Sequence, residues 1–321
     1  MTRFRLIAFA LIAVPALAAE RAVDVLWNNP ANIHSRNLFY GPGGRKDVPT
    51  GPYTFLKEDL EGTNPKFTVK DRTGVTWKVK LGEEAQPETV ATRLVWAAGY
   101  FTDEDYFVRS IEVKGLPEHL HRGEKYVGPN GIVYGARLER RIKGEKKISD
   151  WSWDHDMFSG TRELNGLRVM MALINNWDLK DVNNAVYSFG GNERIYAVSD
   201  LGACFGSSHR GLTRASSKGN LKAYLDSHFI HNVKDSTVDF STPGIPNLVH
   251  VFELPEFVQR VEMRSVGRNI PVADARWIGH ILSRLSDAQI KSAFRAAGYS
   301  PADTAAFAAV VEQRIGELTS L

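Results

Sequence analysis

Partway along the chain the hydrophobic period changes, and few architectures accommodate the change. From Phe67 to Lys80, two alternating runs (Phe67-Thr-Val-Lys70 and Val75-Thr-Trp-Lys-Val-Lys80) flank Asp71–Gly74, which is how a β-hairpin reads. Further strands are expected at Tyr53–Leu60, Tyr106–Val113 and Gly131–Arg141, the last followed by a lysine-rich turn, Lys143–Lys147. A single helix interrupts them, from Pro87 to Ala98, with Pro in its first turn and Gly99 as its stop. Past Asp150 the pattern becomes helical. Leu164, Leu167, Val169, Met170, Met171, Leu173 and Ile174 make Thr161–Asn175 a strongly apolar helix. Two short strands (184–189 and 194–198) and a loop-rich stretch (203–247) follow it. From Pro255 the pattern is helical, ending with helices at 275–285, 286–297 and 301–318. Ser286 and Ser300-Pro301 read as helix starts and Gly298 as a stop. The expected fold is therefore α+β and bilobal. An irregular extension (20–50) precedes a strand-rich N-lobe (51–142, antiparallel sheet plus one helix) and a mainly helical C-lobe (143–321).

Composition removes several alternatives. The chain has 321 residues, 43% hydrophobic and 24% charged, a globular balance that excludes disordered, collagenous and coiled-coil proteins. A net charge of +3 is too small to point to nucleic acid. The single cysteine, Cys204, excludes an internal disulfide and any multi-cysteine metal site. Residues 1–19 have the form of a secretory signal: Arg3 and Arg5, an apolar run from Leu6 to Val14, then Ala16 and Ala18 in small-x-small spacing. The expectation is export from a bacterial cytoplasm with cleavage near Ala18 or Ala19, and a periplasmic or secreted location. No other apolar run approaches the roughly twenty residues that span a bilayer.

Three separated segments carry candidate chemistry. Directly after the apolar helix comes Asp178-Leu-Lys-Asp-Val-Asn183. An Asp with an Asn five positions on suits phosphoryl transfer, with the Asp orienting an acceptor hydroxyl and the Asn amide oxygen ligating a metal. Lys180, two residues on, can reach a transferred phosphate. The second segment is Val198-Ser-Asp200-Leu-Gly202, a strand ending in a carboxylate that suits Mg2+ bound together with substrate phosphates. The third is Trp77-Lys78-Val79-Lys80, followed by Glu88 at the start of a helix. A buried strand lysine needs a counter-charge, and a helix carboxylate supplies it. Lys78 and Lys80 share a strand face, so either can be the phosphate lysine.

In this order the segments resemble the protein-kinase-like superfamily, and in particular its atypical branches: HipA-like kinases, phosphoinositide-kinase-like proteins, and secreted kinases of the spore-coat CotH and Golgi types. The HipA-like likeness is carried by Val79-Lys80-Leu81, by Glu88 in a helix ending Ala97-Ala98-Gly99, and by Leu173-Ile174-Asn175-Asn176-Trp177-Asp178. It favours Lys80 as the phosphate lysine, whereas Val75-Thr76-Trp77-Lys78 favours Lys78. The resemblance implies Mg2+ and ATP as cofactors, an acceptor that is a protein, sugar, lipid or small molecule, and Leu138–Arg141 beside the adenine. It also leaves open a pseudokinase, acting as a nucleotide-binding or protein-interaction module, or transfer of a nucleotidyl group. There is no G-x-G-x-x-G loop. Glu61-Gly62-Thr63-Asn64 is the candidate phosphate-covering turn, Asn176-Trp177 replaces the usual His-Arg, Leu201 replaces Phe, and Leu254-Pro255-Glu256 loosely echoes the end of an activation segment.

Other groups read as structural. Trp151, Trp153 and Trp177 are expected in the core, and His119/His121 and His228/His231 have no third ligand beside them. The sequence has no G-x-S-x-G elbow for a serine hydrolase.

Overall fold

Alternation in the first half builds a barrel, not an open sheet. The structure, a computed structural model, describes residues 22–62, 64–207, 218–241 and 265–321. The expected signal segment and Leu254-Pro255-Glu256 lie outside them. A short strand β1 (Val23–Val25) opens the extension. It is followed by β2 (Tyr53–Asp59), β3 (Lys66–Lys70), β4 (Thr76–Leu81), helix α1 (Ala85–Ala97), a two-residue strand β5 (Phe101–Thr102), β6 (Asp105–Lys114) and β7 (Ile132–Arg140). The strands close in the order β2-β3-β4-β7-β6. Neighbours are antiparallel except where β2 meets β6 in parallel, Tyr53 opposite Val113. Phe67, Val69, Trp77, Val79, Val133 and Leu138 fill the interior. Asp71 fixes the β3–β4 turn by accepting from the Thr73 and Val75 amides and, at 2.9 Å, from the Trp77 indole.

Because side chains alternate, the outward face of β4 and β7 carries what the interior cannot. Lys80 stands opposite Arg137, and Lys78 opposite Glu139. Helix α1 lies over that face. It starts two residues before the expected Pro87, which places Glu84 at its N-terminal edge.

The second half continues with β8 (Lys146–Ser149), α2 (Arg162–Leu173), β9 (Asn184–Ser188) and β10 (Glu193–Val198). One sheet runs β1-β10-β9-β8, with β5 also pairing β10. Lys146 and Lys147, expected in a turn, sit in β8, because their backbones pair with Ser188 and Tyr187. The loop-rich 203–247 stretch holds, among its described residues, helix α3 (Leu221–Leu225) and strands β11 (Ile230–Val233) and β12 (Thr237–Phe240). Then come β13 (Ile270–Pro271), α4 (Val272–Leu282), α5 (Asp287–Ala296) and α6 (Pro301–Thr319). Ser286 caps α5 with a full capping box and Ser300 caps α6 ahead of Pro301, as their side chains predict. One core joins α1, α2 and the C-terminal helices through Val90, Leu94, Leu167, Met170, Phe294 and Phe307. Trp151 and Trp153 belong to it. The strand-rich and mainly helical halves expected for an α+β chain are both present. No helix among the described residues is long and apolar enough to cross a membrane.

Candidate functional site

At the end of β4, three carboxylates converge on Lys80. Its Nζ lies 2.8 Å from Glu88 Oε2, 3.1 Å from Asp200 Oδ1 and 3.4 Å from Glu84 Oε2. Lys80 is 4% exposed and Glu88 0%, so neither charge could be held there without the other. Burial works to lower the Lys80 ammonium, but Glu88, Asp200 and Glu84 outweigh it and raise it well above its ordinary value. Burial lifts the Glu88 carboxyl to about 7, against the pull of Arg137 and Lys80. For Asp200, burial pushes upward but the Lys80 charge and hydrogen bond, with the Gly202 amide, hold it well below the usual range.

Glu84 belongs to none of the sequence motifs. It ion-pairs with Lys218 as well as Lys80, and Asn64 donates to it. Glu84, Glu88 and Asp200 form the one acidic group among the described residues with metal-ligand spacing. The Lys80 ammonium lies within 3.4 Å of all three carboxylates, so the cluster reads first as a lysine cage. The Asp200 side chain is 42% exposed and can still turn an oxygen outward to a hard divalent cation.

The Asp178 loop is joined to the Asp200 turn by backbone. The Asn183 carbonyl accepts from the amides of Ser199, at 3.0 Å, and Asp200, at 3.2 Å. Trp177 N donates to Ala203 O and Phe205 N to Ile174 O. Within the loop, Asn183 Nδ2 donates to the Asp178 carbonyl at 2.8 Å, which leaves its amide oxygen to act as an acceptor. Lys180 Nζ lies 3.2 Å from Asp178 Oδ1. Loop and turn are therefore tied together through the backbone.

Of the sequence-derived candidates, Lys80, Glu88 and Asp200 meet side chain to side chain, and Asp178, Asn183 and Lys180 lie on the loop bonded to the Asp200 turn. Lys78 is elsewhere on the same strand face, 3.4 Å from Glu139. Gly62 occupies the exposed β2–β3 turn with its carbonyl held by Arg122; it is Asn64, in the same turn, that reaches the cluster. Beside it opens a cleft of about 390 Å³ lined by Asn64, Gly82, Glu83, Lys125, Tyr126 and Lys218 among others. Leu138–Arg141 does not offer a free edge to adenine. β7 is paired on both sides, Leu138 faces the barrel interior, and the Arg140 and Arg141 amides are taken by Glu104 O and Thr76 O. His119 and His121 pair with different acids, Glu124 and Glu58. Cys204 is fully buried.

Among solved structures, two kinases are similar to the chain. The chain is similar to the Helicobacter pylori proinflammatory kinase CtkA, with 13% identity, a TM-score of 0.44, and 85% of this chain and 98% of that one covered. It is similar to the Golgi casein kinase with Mn/ADP bound at 10% identity and a TM-score of 0.39, covering 85% and 72%. No family model matches the chain, and no relative is found among curated proteins.

Proposed function

We propose that this chain is an exported phosphotransferase using Mg2+ and ATP. The observation that carries the reading is the fully buried Lys80–Glu88 pair, 2.8 Å apart, set against a carboxylate 120 residues further along the chain, Asp200. A buried ammonium on a strand, steadied by a helix carboxylate, is suited to hold polyphosphate.

The residues present fit such a ligand. Asp200 and the amide oxygen of Asn183, residues joined through their backbones, would offer the hard oxygen donors that Mg2+ takes; the metal supplies charge neutralisation when bound. Lys80 contributes the fixed positive charge for the phosphates. Asp178 accepts and orients the acceptor hydroxyl proton, and Lys180 balances charge beside it. Asn64, at the β2–β3 turn, closes the phosphate side in place of a glycine-rich loop. The acceptor is a hydroxyl-bearing molecule, and the compartment follows from the signal-like residues 1–19.

The test is transfer of radiolabel from γ-labelled ATP with Mg2+, to the protein itself and to candidate hydroxyl acceptors. Wild type is expected to transfer label and Asp178→Ala to lose it while still binding nucleotide. Equal transfer by both removes Asp178 from the mechanism. Nucleotide binding without transfer by wild type assigns the chain to the binding-module class instead.

A further inference from the structure

Behind the Lys80–Glu88 pair stands an arginine that none of the motifs includes. Arg137 on β7 is directly across the ladder from Lys80, and two like charges facing each other on one sheet face repel. Glu88 enters between them from α1, with Oε2 2.8 Å from Lys80 Nζ and Oε1 3.4 Å from Arg137 Nη2. The guanidinium is fully buried and fixed at its other nitrogens, Nε donating to Asp105 Oδ2 at 2.8 Å and Nη1 to Glu139 Oε2 at 3.1 Å. That leaves Nη2 aimed at Glu88, with Asp103 Oδ2 at 3.9 Å on its other side.

The partners of Arg137 differ in how much they need it. Asp105 is also held by Arg93 Nη1 at 2.7 Å and by the Thr92 hydroxyl at 3.0 Å. Glu139 is also paired with Lys78 and Arg141, each at 3.4 Å. Glu88 has two cations among the described residues, Lys80 and Arg137, and neither of its oxygens has a well-aligned hydrogen-bond partner. Asp105 and Glu139 thus serve to orient the arginine fork, and Glu88 is the group that fork serves.

We propose that Arg137 is a positioning residue for the phosphate lysine: it anchors Glu88 from the side away from Lys80 and so holds the Lys80–Glu88 pair formed before nucleotide arrives. The proposal rests on the phosphotransfer reading for its kinetic consequence, and on geometry alone for its structural one. A lysine at 137 keeps the charge but cannot hydrogen-bond Asp105 and Glu139 while presenting a further nitrogen to Glu88.

The test uses Arg137→Lys and Arg137→Met in the full chain, with two readouts. In nucleotide-free crystal structures of the variants, Glu88 is expected to turn away from Lys80, leaving the ammonium with Glu84 and Asp200. In steady-state assays Arg137→Lys is expected to raise KM for ATP about tenfold, as Glu88 loses its second cation. A merely structural role would reduce the active fraction, and with it apparent kcat, without moving KM. An unchanged Lys80–Glu88 separation in Arg137→Lys, or an unchanged KM in an active enzyme, overturns the proposal. If Arg137→Met does not fold, Arg137→Lys decides alone. If wild type transfers no phosphate, the phosphotransfer reading fails by itself, and the nucleotide-free structures still decide what Arg137 does to Glu88.

Discussion

Gly202 lies so close against Glu84 that a Cβ on it would stand 2.6 Å from Glu84 Oε2 and 2.7 Å from Glu84 Cβ. The turn bearing Asp200 and the start of α1 are thereby packed without a gap, and the glycine of Asp200-Leu-Gly202 is a packing requirement.

Gly202→Ala should therefore displace Glu84 and loosen its hold on Lys218 and Lys80. Overpacking of this kind costs about 1–3 kcal/mol. Urea unfolding should show that loss, together with a raised KM for ATP. A variant as stable as wild type would mean that Glu84 moves aside freely.

Arg314 fixes the Asp178 loop from the far end of the chain. It is 2% exposed and donates to Leu173 O and Asn175 Oδ1, each at 2.8 Å, and to Ser227 Oγ at 2.7 Å. Its guanidinium lies 4.1 Å from the Tyr224 ring centroid. The last carbonyls of α2, which have no partner inside the helix, are thus capped just before Asn175 turns to φ 53°. Arg314→Met should cost about 3 kcal/mol, since buried acceptors lose a charged donor. Thermal melting measures this, and a shift within error would show that the loop holds itself.

Stability and activity should respond to pH in opposite senses around Glu88. Burial raises its carboxyl from 4.5 to about 7, so the folded state binds this proton more tightly than the unfolded state does. Its contribution is fully present below about pH 4.5 and is lost as pH rises towards 7. Glu145, raised to about 7 by burial and by Glu139, acts in the same direction. The ion pair with Lys80 needs the charged form, so kcat/KM should climb over the same range. Urea midpoints of wild type and Glu88→Gln from pH 5 to 8, beside a pH–rate profile, check both signs. Wild-type stability rising against the variant over that range would contradict the assignment.

The sequence made some of this site legible and concealed the rest for identifiable reasons. Lys80, Glu88, Asp178, Asn183 and Asp200 stood out because each is tied to a local pattern: a strand alternation, a helix start, a loop after an apolar helix, a strand-end turn. Glu84 does not, because it precedes Pro87, where the helical pattern starts in the sequence; helix α1 begins at Ala85. The Arg137 layer depends on register between strands 57 residues apart, Lys80 opposite Arg137, which no local pattern encodes. A sign was present nonetheless: Arg137 and Glu139 flank the buried Leu138, as Lys78 and Lys80 flank Val79, so both strands carry charge on one face and apolar residues on the other. Barrel closure through parallel β2 and β6 and the joining of β1 and β5 to β10 are likewise long-range pairings. Leu138–Arg141 was misplaced for the same reason, since pairing on both edges of β7 is invisible in its own residues.

The central claim, that Lys80 and not Lys78 is the lysine that holds the phosphates, is tested most directly by MgATP-dependent thermal stabilisation of wild type, Lys80→Met and Lys78→Met. Wild type and Lys78→Met should rise in melting temperature with added MgATP, since binding to the folded state alone stabilises it, and Lys80→Met should not. No rise in any of the three, or a rise retained in Lys80→Met and lost in Lys78→Met, would contradict the account.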